Sequence, residues 1–237
     1  LASLNLLDSA LENNPTFAKL YNVKGACLVE LGKFNEAKIA CSTAISISPE
    51  DVVSMSNLAV INLEQGEVTQ AIKISEKAIS IDPSYPDAHY NLSLSHLMDK
   101  NFEKGFDLYE RRWTTESYSG SYLNSEKPQW SGELNKKVLL WAEQGIGDEV
   151  MFSSMLPELT KLCSNLIVLC DYRLIPLFQR SFSSSIEYVS KFSEVVQDDY
   201  DFHLPMGSLG KFFRRNRQSF EKSNNGYLRS NDIQTKY

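Results

Sequence analysis

Long apolar runs are missing from this sequence. None approaches the roughly 18 to 20 successive apolar residues that cross a bilayer, so no membrane span is expected. A basic–apolar–small leader is missing too. Cysteine is scarce, and Cys27, Cys41, Cys163 and Cys170 never fall in a C-x-x-C spacing. They read as small buried hydrophobes of a reducing compartment, which excludes a disulfide framework. His89, His96 and His203 keep no metal-ligand spacing with them, so no metal is expected. No G-x-x-x-x-G-K-[ST] phosphate loop occurs either. These absences together lead to the expectation of a cytoplasmic protein.

Positive charge is also short. The 237 residues carry 24 Lys and Arg against 30 Asp and Glu. Residues 1–113 hold 10 against 15, and the remainder 14 against 15. The acid excess of the first half argues against nucleic acid or an anionic membrane as its partner. One basic knot, Lys211, Arg214, Arg215 and Arg217, reads as a solvated helix face, with anion binding as the other reading.

What the first half does have is a period. Gly32 to Gly66, Ala37 to Ala71, Ala44 to Ala78 and Pro49 to Pro83 are each 34 residues apart. That period is the one of the tetratricopeptide repeat, a pair of antiparallel helices. Each landmark has a physical reason. Glycine ends the first helix in a left-handed turn, alanine lets two helices cross closely, and proline stops the second helix. The spacing predicts a second helix over about 3–13, whole repeats over 18–51 and 52–85, and a third from 86. The third departs from the pattern, with Lys100 for the turn glycine, and Gly105 and Arg112 for the alanines. The inner positions of the first helices hold Asn22, Ala26, Ser56, Val60, Tyr90 and Leu94, with Lys19 as the one clear cation. A clamp for a peptide carboxylate is therefore not expected, although an extended concave face still favours a protein partner.

From Thr114 to Lys136 the composition turns to Ser, Thr, Gly, Asn and Tyr, as in a connector. Short apolar runs then alternate with helical stripes: Val138–Trp141, Leu166–Cys170, Ile186–Val189 and Phe202–Leu204 as strands, Phe152–Leu162 and Arg173–Phe182 as helices. That alternation predicts a parallel sheet covered on both faces. Pro157 inside the first of these helices predicts a kink, at about 3 kcal/mol. Ligands of such sheets sit beyond the carboxyl ends of the strands, which singles out Glu143-Gln144-Gly145-Ile146-Gly147-Asp148. Two glycines there suggest a tight turn and close approach of a ligand. Asp148 has two readings: a cap of the following helix, or a base for a sugar hydroxyl.

Three segments carry a resemblance: Gly105-Phe106-Asp107-Leu108-Tyr109-Glu110-Arg111-Arg112-Trp113, Lys127-Pro128-Gln129-Trp130-Ser131-Gly132, and Leu140-Trp141-Ala142-Glu143-Gln144-Gly145-Ile146-Gly147-Asp148. Joined to the repeats, and continued by Asp201–Leu209 and Tyr227-Leu228, they resemble bacterial tetratricopeptide-repeat glycosyltransferases. The resemblance implies a Rossmann-like α/β part similar to the acceptor-side, N-terminal half of a GT-B fold of the heptosyltransferase branch. It implies Asp148 as catalytic base, and Gln144, Gly145, Gly147, His203 and Ser208 as acceptor-binding residues. The expected organisation is a solenoid over 1–113, a connector over 114–136, the α/β half over 137–217 and the start of an interdomain linker over 218–237. The fold class is thus α plus α/β. No cofactor is expected on this chain, because the nucleotide-sugar donor would bind a C-terminal half that is missing. Likewise the chain opens on Leu1 within a helical pattern, so an upstream part is expected, and the chain alone is expected to be inactive. The expected function is sugar transfer to a protein or glycan acceptor presented by the repeats. The competing expectation is a non-enzymatic scaffold that binds proteins.

Overall fold

The computed structural model describes residues 2–115, 118, 120–193, 195–223 and 226–231. The chain divides into two units, residues 1–118 and 119–237.

In the first unit, helix α1 (Ala2–Asn13) precedes three pairs: α2 (Ala18–Glu30) with α3 (Phe34–Ile47), α4 (Val52–Glu64) with α5 (Val68–Ile81), and α6 (Pro86–Met98) with α7 (Phe102–Tyr109). Helices of this length are marginal alone in water, so each depends on its packing. Leu4, Leu28, Ala37, Cys41 and Ile61 make one core cluster, and Met55, Ala78 and Ala88 another. Ala37, Ala44, Ala71 and Ala78 are all fully buried, as the close crossings require. The same crossing has a partner the period did not reveal: a methyl group on Gly25 would run into the Cys41 sulfur. Gly32 and Gly66 sit at φ 69° and 73°. At each, two backbone bonds close the helix end, Gly32 N to Val29 O with Lys33 N to Leu28 O, and Gly66 N to Leu63 O with Glu67 N to Asn62 O. This is the Schellman arrangement.

The last pair differs for a packing reason. A methyl on Gly105 would sit 2.6 Å from the Leu97 side chain, so this crossing is tighter than those that hold alanine. Arg112 stands where the second alanine belongs, and α7 gives way after Tyr109 to a 3-10 turn over Glu110–Thr114. The Arg112 side chain is fully buried, its guanidinium 4.8 Å from the Tyr109 ring centre and 4.5 Å from that of Trp113, with Glu110 2.9 Å away.

The second unit is a four-stranded parallel sheet in the order β3-β2-β1-β4, with β1 Lys137–Trp141, β2 Asn165–Cys170, β3 Ile186–Ser190 and β4 Phe202–Pro205. The central strands β1 and β2 are apolar and buried along almost their whole length, whereas edge strand β3 exposes Glu187. Helices α8 (Ile146–Ser153) and α9 (Leu156–Thr160) link β1 to β2, α10 (Ile175–Ser181) links β2 to β3, and α11 (Leu209–Phe213) follows β4. The kink expected at Pro157 is instead a break between two helices. Proline lies in the first turn of α9, where its missing N–H costs nothing.

Two segments are more structured than composition implied. Gln129 pairs with His203 outside β4, and Trp130 is buried beneath Phe212, ring centres 4.8 Å apart. Residues 226–231 return over the sheet's helices, with the Tyr227 hydroxyl donating to Val150 O and Arg229 N donating to Ser181 Oγ. The rest of the expected linker, 224–225 and 232–237, lies outside the described residues. The basic knot is not a solvated face throughout: Arg214 is buried and pairs with Glu158 at 2.8 Å. Among the described residues, no helix is long and apolar enough to cross a membrane, and no group of three His, Cys, Asp or Glu could hold a metal.

Lys100 keeps the glycine geometry of the two earlier turns at φ 64°. A side chain in that region costs about 1–2 kcal/mol, against roughly 0.5–1 kcal/mol of extra chain entropy for glycine. Lys100→Gly should therefore stabilise the repeats by about 0.5–1 kcal/mol in urea unfolding followed by circular dichroism. An unchanged or lower midpoint would mean that the turn is not strained.

Candidate functional site

The order β3-β2-β1-β4 reverses between β1 and β4, because the chain leaves β1 toward β2 and returns on its other side. Crevices at such points, beyond the strands' carboxyl ends, are where ligands of open α/β sheets sit. Here the loop after β1 faces the turn after β4. Glu143 is buried, and its Oε1 accepts from Gly207 N at 2.9 Å, which ties the two together.

The next residues form one turn. Gly145 is extended and Ile146 opens α8. The Gly145 N–H donates to Asp148 Oδ2 at 3.2 Å, half of a capping box, since glycine has no side chain to reciprocate. Neither Gly145 nor Gly147 has a positive φ. A methyl on Gly147 would meet nothing within 4 Å, and one on Gly145 only Asp148 Oδ2 at 3.6 Å. The turn therefore does not need glycine for its own geometry, contrary to the expectation, and the space above it is open. Beneath it, Gln144, Asp148, Phe152 and Met206 line a cleft too tight for a water-sized sphere.

Of the expected site residues, Gln144, Gly145, Gly147 and Asp148 come together in this turn. Ser208 shares the turn after β4 but is fully buried. His203 lies in the middle of β4, away from the rim. Its Nδ1 accepts from Trp141 Nε1 at 3.2 Å, its backbone N–H donates to Pro128 O, its backbone O accepts from Trp130 N, and burial holds its pKa below the usual value. Those bonds make it the anchor of residues 128–130 on the sheet edge.

Sequence reasoning missed what holds the rim. Glu149 is buried on α8. Its Oε1 meets Lys191 Nζ at 2.7 Å just past β3, and its Oε2 accepts from Asp171 N at 2.7 Å just past β2. Asp171 is in turn gripped by Arg173, which holds its carboxyl below the usual range. The signal was present: Glu149 stands on the stripe of Phe152 and Leu156, where a charge needs a partner.

The repeats offer a second surface. First helices pack on one another, α2 on α4 and α4 on α6, while α3, α5 and α7 make no comparable contacts among themselves. The stack therefore curves with the first helices inside. Three of its inner polar groups are engaged: Asn91 Nδ2 donates to Ser56 Oγ at 2.7 Å, and Asn22 Nδ2 to Asp51 at 3.4 Å. Lys19 is exposed.

Family models of the tetratricopeptide repeat match residues 18–51 and 61–99. The helical unit is built of tetratricopeptide repeats. Protein FlbA of Caulobacter vibrioides is 25% identical over 243 residues, covering 94% of this chain and 41% of its own length. Hsp70-Hsp90 organizing protein 3 of Arabidopsis thaliana is 29% identical over 97 residues, covering 41% of this chain and 17% of its own length. The chain thus spans less than half the length of these curated relatives. Among solved structures, MamA of Desulfovibrio magneticus RS-1 is similar at a TM-score of 0.43 and 18% identity, over 46% of this chain and 62% of that one.

Removing one partner of a buried ion pair leaves the other uncompensated, at about 3 kcal/mol. Glu149→Gln should lower unfolding stability of the α/β unit by about that amount. A loss under about 1 kcal/mol, the level of an exposed pair, would overturn the bridging role.

Proposed function

We propose that this chain is a protein-binding scaffold whose repeats present the concave face of α2, α4 and α6 to a partner. The observation that carries the reading is the inner surface itself. Asn22, Ser56 and Asn91 on it are engaged in hydrogen bonds, while Val60, Tyr90 and Leu94 remain half-exposed and Val53 is 42% exposed. Such a face has apolar area to bury and no need for a small ligand. The similarity to an organizing protein named for two chaperones supports a partner of protein nature. Panning a random 12-residue peptide display library against the chain should enrich binders. Their binding should be lost in a Val60→Asp, Leu94→Asp variant of unchanged helicity. No enrichment, or retention by the variant, would refute the reading.

A second reading concerns the α/β unit. Its strand order supports a Rossmann-like half, and the open Gly145–Asp148 turn at the switch point supports an acceptor site of a glycosyltransferase. The alignment with FlbA, at 94% of this chain, includes both units and supports their working together in a longer protein. In that reading the repeats hold the acceptor and Asp148 takes its proton. Sugar transfer by the complete gene product should then fall about 10²-fold or more in Asp148→Asn. Undiminished transfer would remove the base assignment.

A further inference from the structure

The repeats' inner face has a chemistry of its own beyond being a surface. Residues four apart stack on one side of a helix. In α2 this stripe runs Asn22, Ala26, Glu30; in α4, Ser56, Val60, Glu64; in α6, Tyr90, Leu94, Met98. The middle layer, Ala26, Val60 and Leu94, is apolar and half-buried. Val53 and Met98 extend it, at 42% and 51% exposure. At one border stand Glu30 and Glu64, both exposed, and neither forms an ion pair among the described residues. Neither α4 nor α6 holds a single Lys or Arg. In α2, Lys24 is already paired with Asp8, and the exposed Lys19 stands in the first turn, at the opposite end of the helix from Glu30.

We infer that the inner face takes an apolar peptide segment flanked by lysine or arginine, its apolar side chains on Ala26, Val60 and Leu94 and its cations along Glu30 and Glu64. This rests on the protein-binding reading and gives it a partner of defined chemistry. Two carboxylates that have no cation of their own repel an acidic segment and attract a basic one, and the apolar middle layer supplies area to bury. A partner ending in free carboxylates would find no cation on α4 or α6 to receive them.

The test uses the full chain and three labelled synthetic peptides in fluorescence anisotropy. One carries a leucine and phenylalanine core flanked by lysines, the second the same core flanked by glutamates, and the third the lysines without the apolar core. The first should bind about tenfold or more tightly than either of the others at low salt. A double Glu30→Lys, Glu64→Lys variant should reverse the order of the first two. Both substitutions are at exposed positions, and circular dichroism checks that the helices remain. Equal or tighter binding of the glutamate peptide would overturn the inference and leave the scaffold reading standing. Equal binding of the coreless lysine peptide would reduce it to bulk charge attraction and overturn it too. If no peptide binds, the inference falls, and the display panning decides whether the scaffold reading falls with it.

Discussion

The structure of the first unit depends on how closely two helices can cross. Ala37 and Ala71 are fully buried at the crossings, and Gly105 allows the last pair closer still. Helices brought that close within each pair, and linked by the same left-handed turn, repeat with one geometry. Successive first helices then touch while the second helices splay. The curvature and the inner face follow from small residues at fixed spacing. A larger side chain at one of these positions would change the angle that sets the face, as well as leaving a strained core.

In the α/β unit the corresponding constraint is electrostatic. Parallel strands end together at one rim, where backbone groups and loop charges lose their partners. Glu143 and Glu149 satisfy them from inside, the first across β1 and β4, the second across β2 and β3. Two buried carboxylates therefore hold all four strand ends. Buried charge is costly unless paired and hydrogen-bonded, and each carboxylate here has a backbone N–H as a partner.

The regular part of this architecture was legible in the sequence. The 34-residue spacing located the helix pairs, and apolar runs located all four strands to within a residue or two. What stayed hidden depends on contacts between distant residues. Pro157 reads as a kink until Leu156 is seen to begin a new helix. Arg112 reads as a lapse in the repeat until Tyr109 and Trp113 are seen on either side of it. His203 enters the acceptor cleft only through the family resemblance, and its ring is bonded to Trp141 at the neighbouring strand. Glu149 falls on the buried stripe of Phe152 and Leu156, whereas Asp148 beside it is only half-buried, so burial distinguishes two neighbours that composition does not.

The bonds around Asp148 differ in what each costs to break. For a ligand to enter the closed cleft at the switch point, something on its wall has to give. Glu143 and Glu149 are buried and hydrogen-bonded to other strand ends, so they are the expensive parts to move. The Asp148 cap is the cheap one: a single 3.2 Å bond to Gly145 on a half-exposed side chain. A helix cap of this kind is worth about 1 kcal/mol, well below the cost of unpairing a buried carboxylate. Opening would therefore start at the Asp148 cap, with Glu149 holding the helix in place while the turn moves.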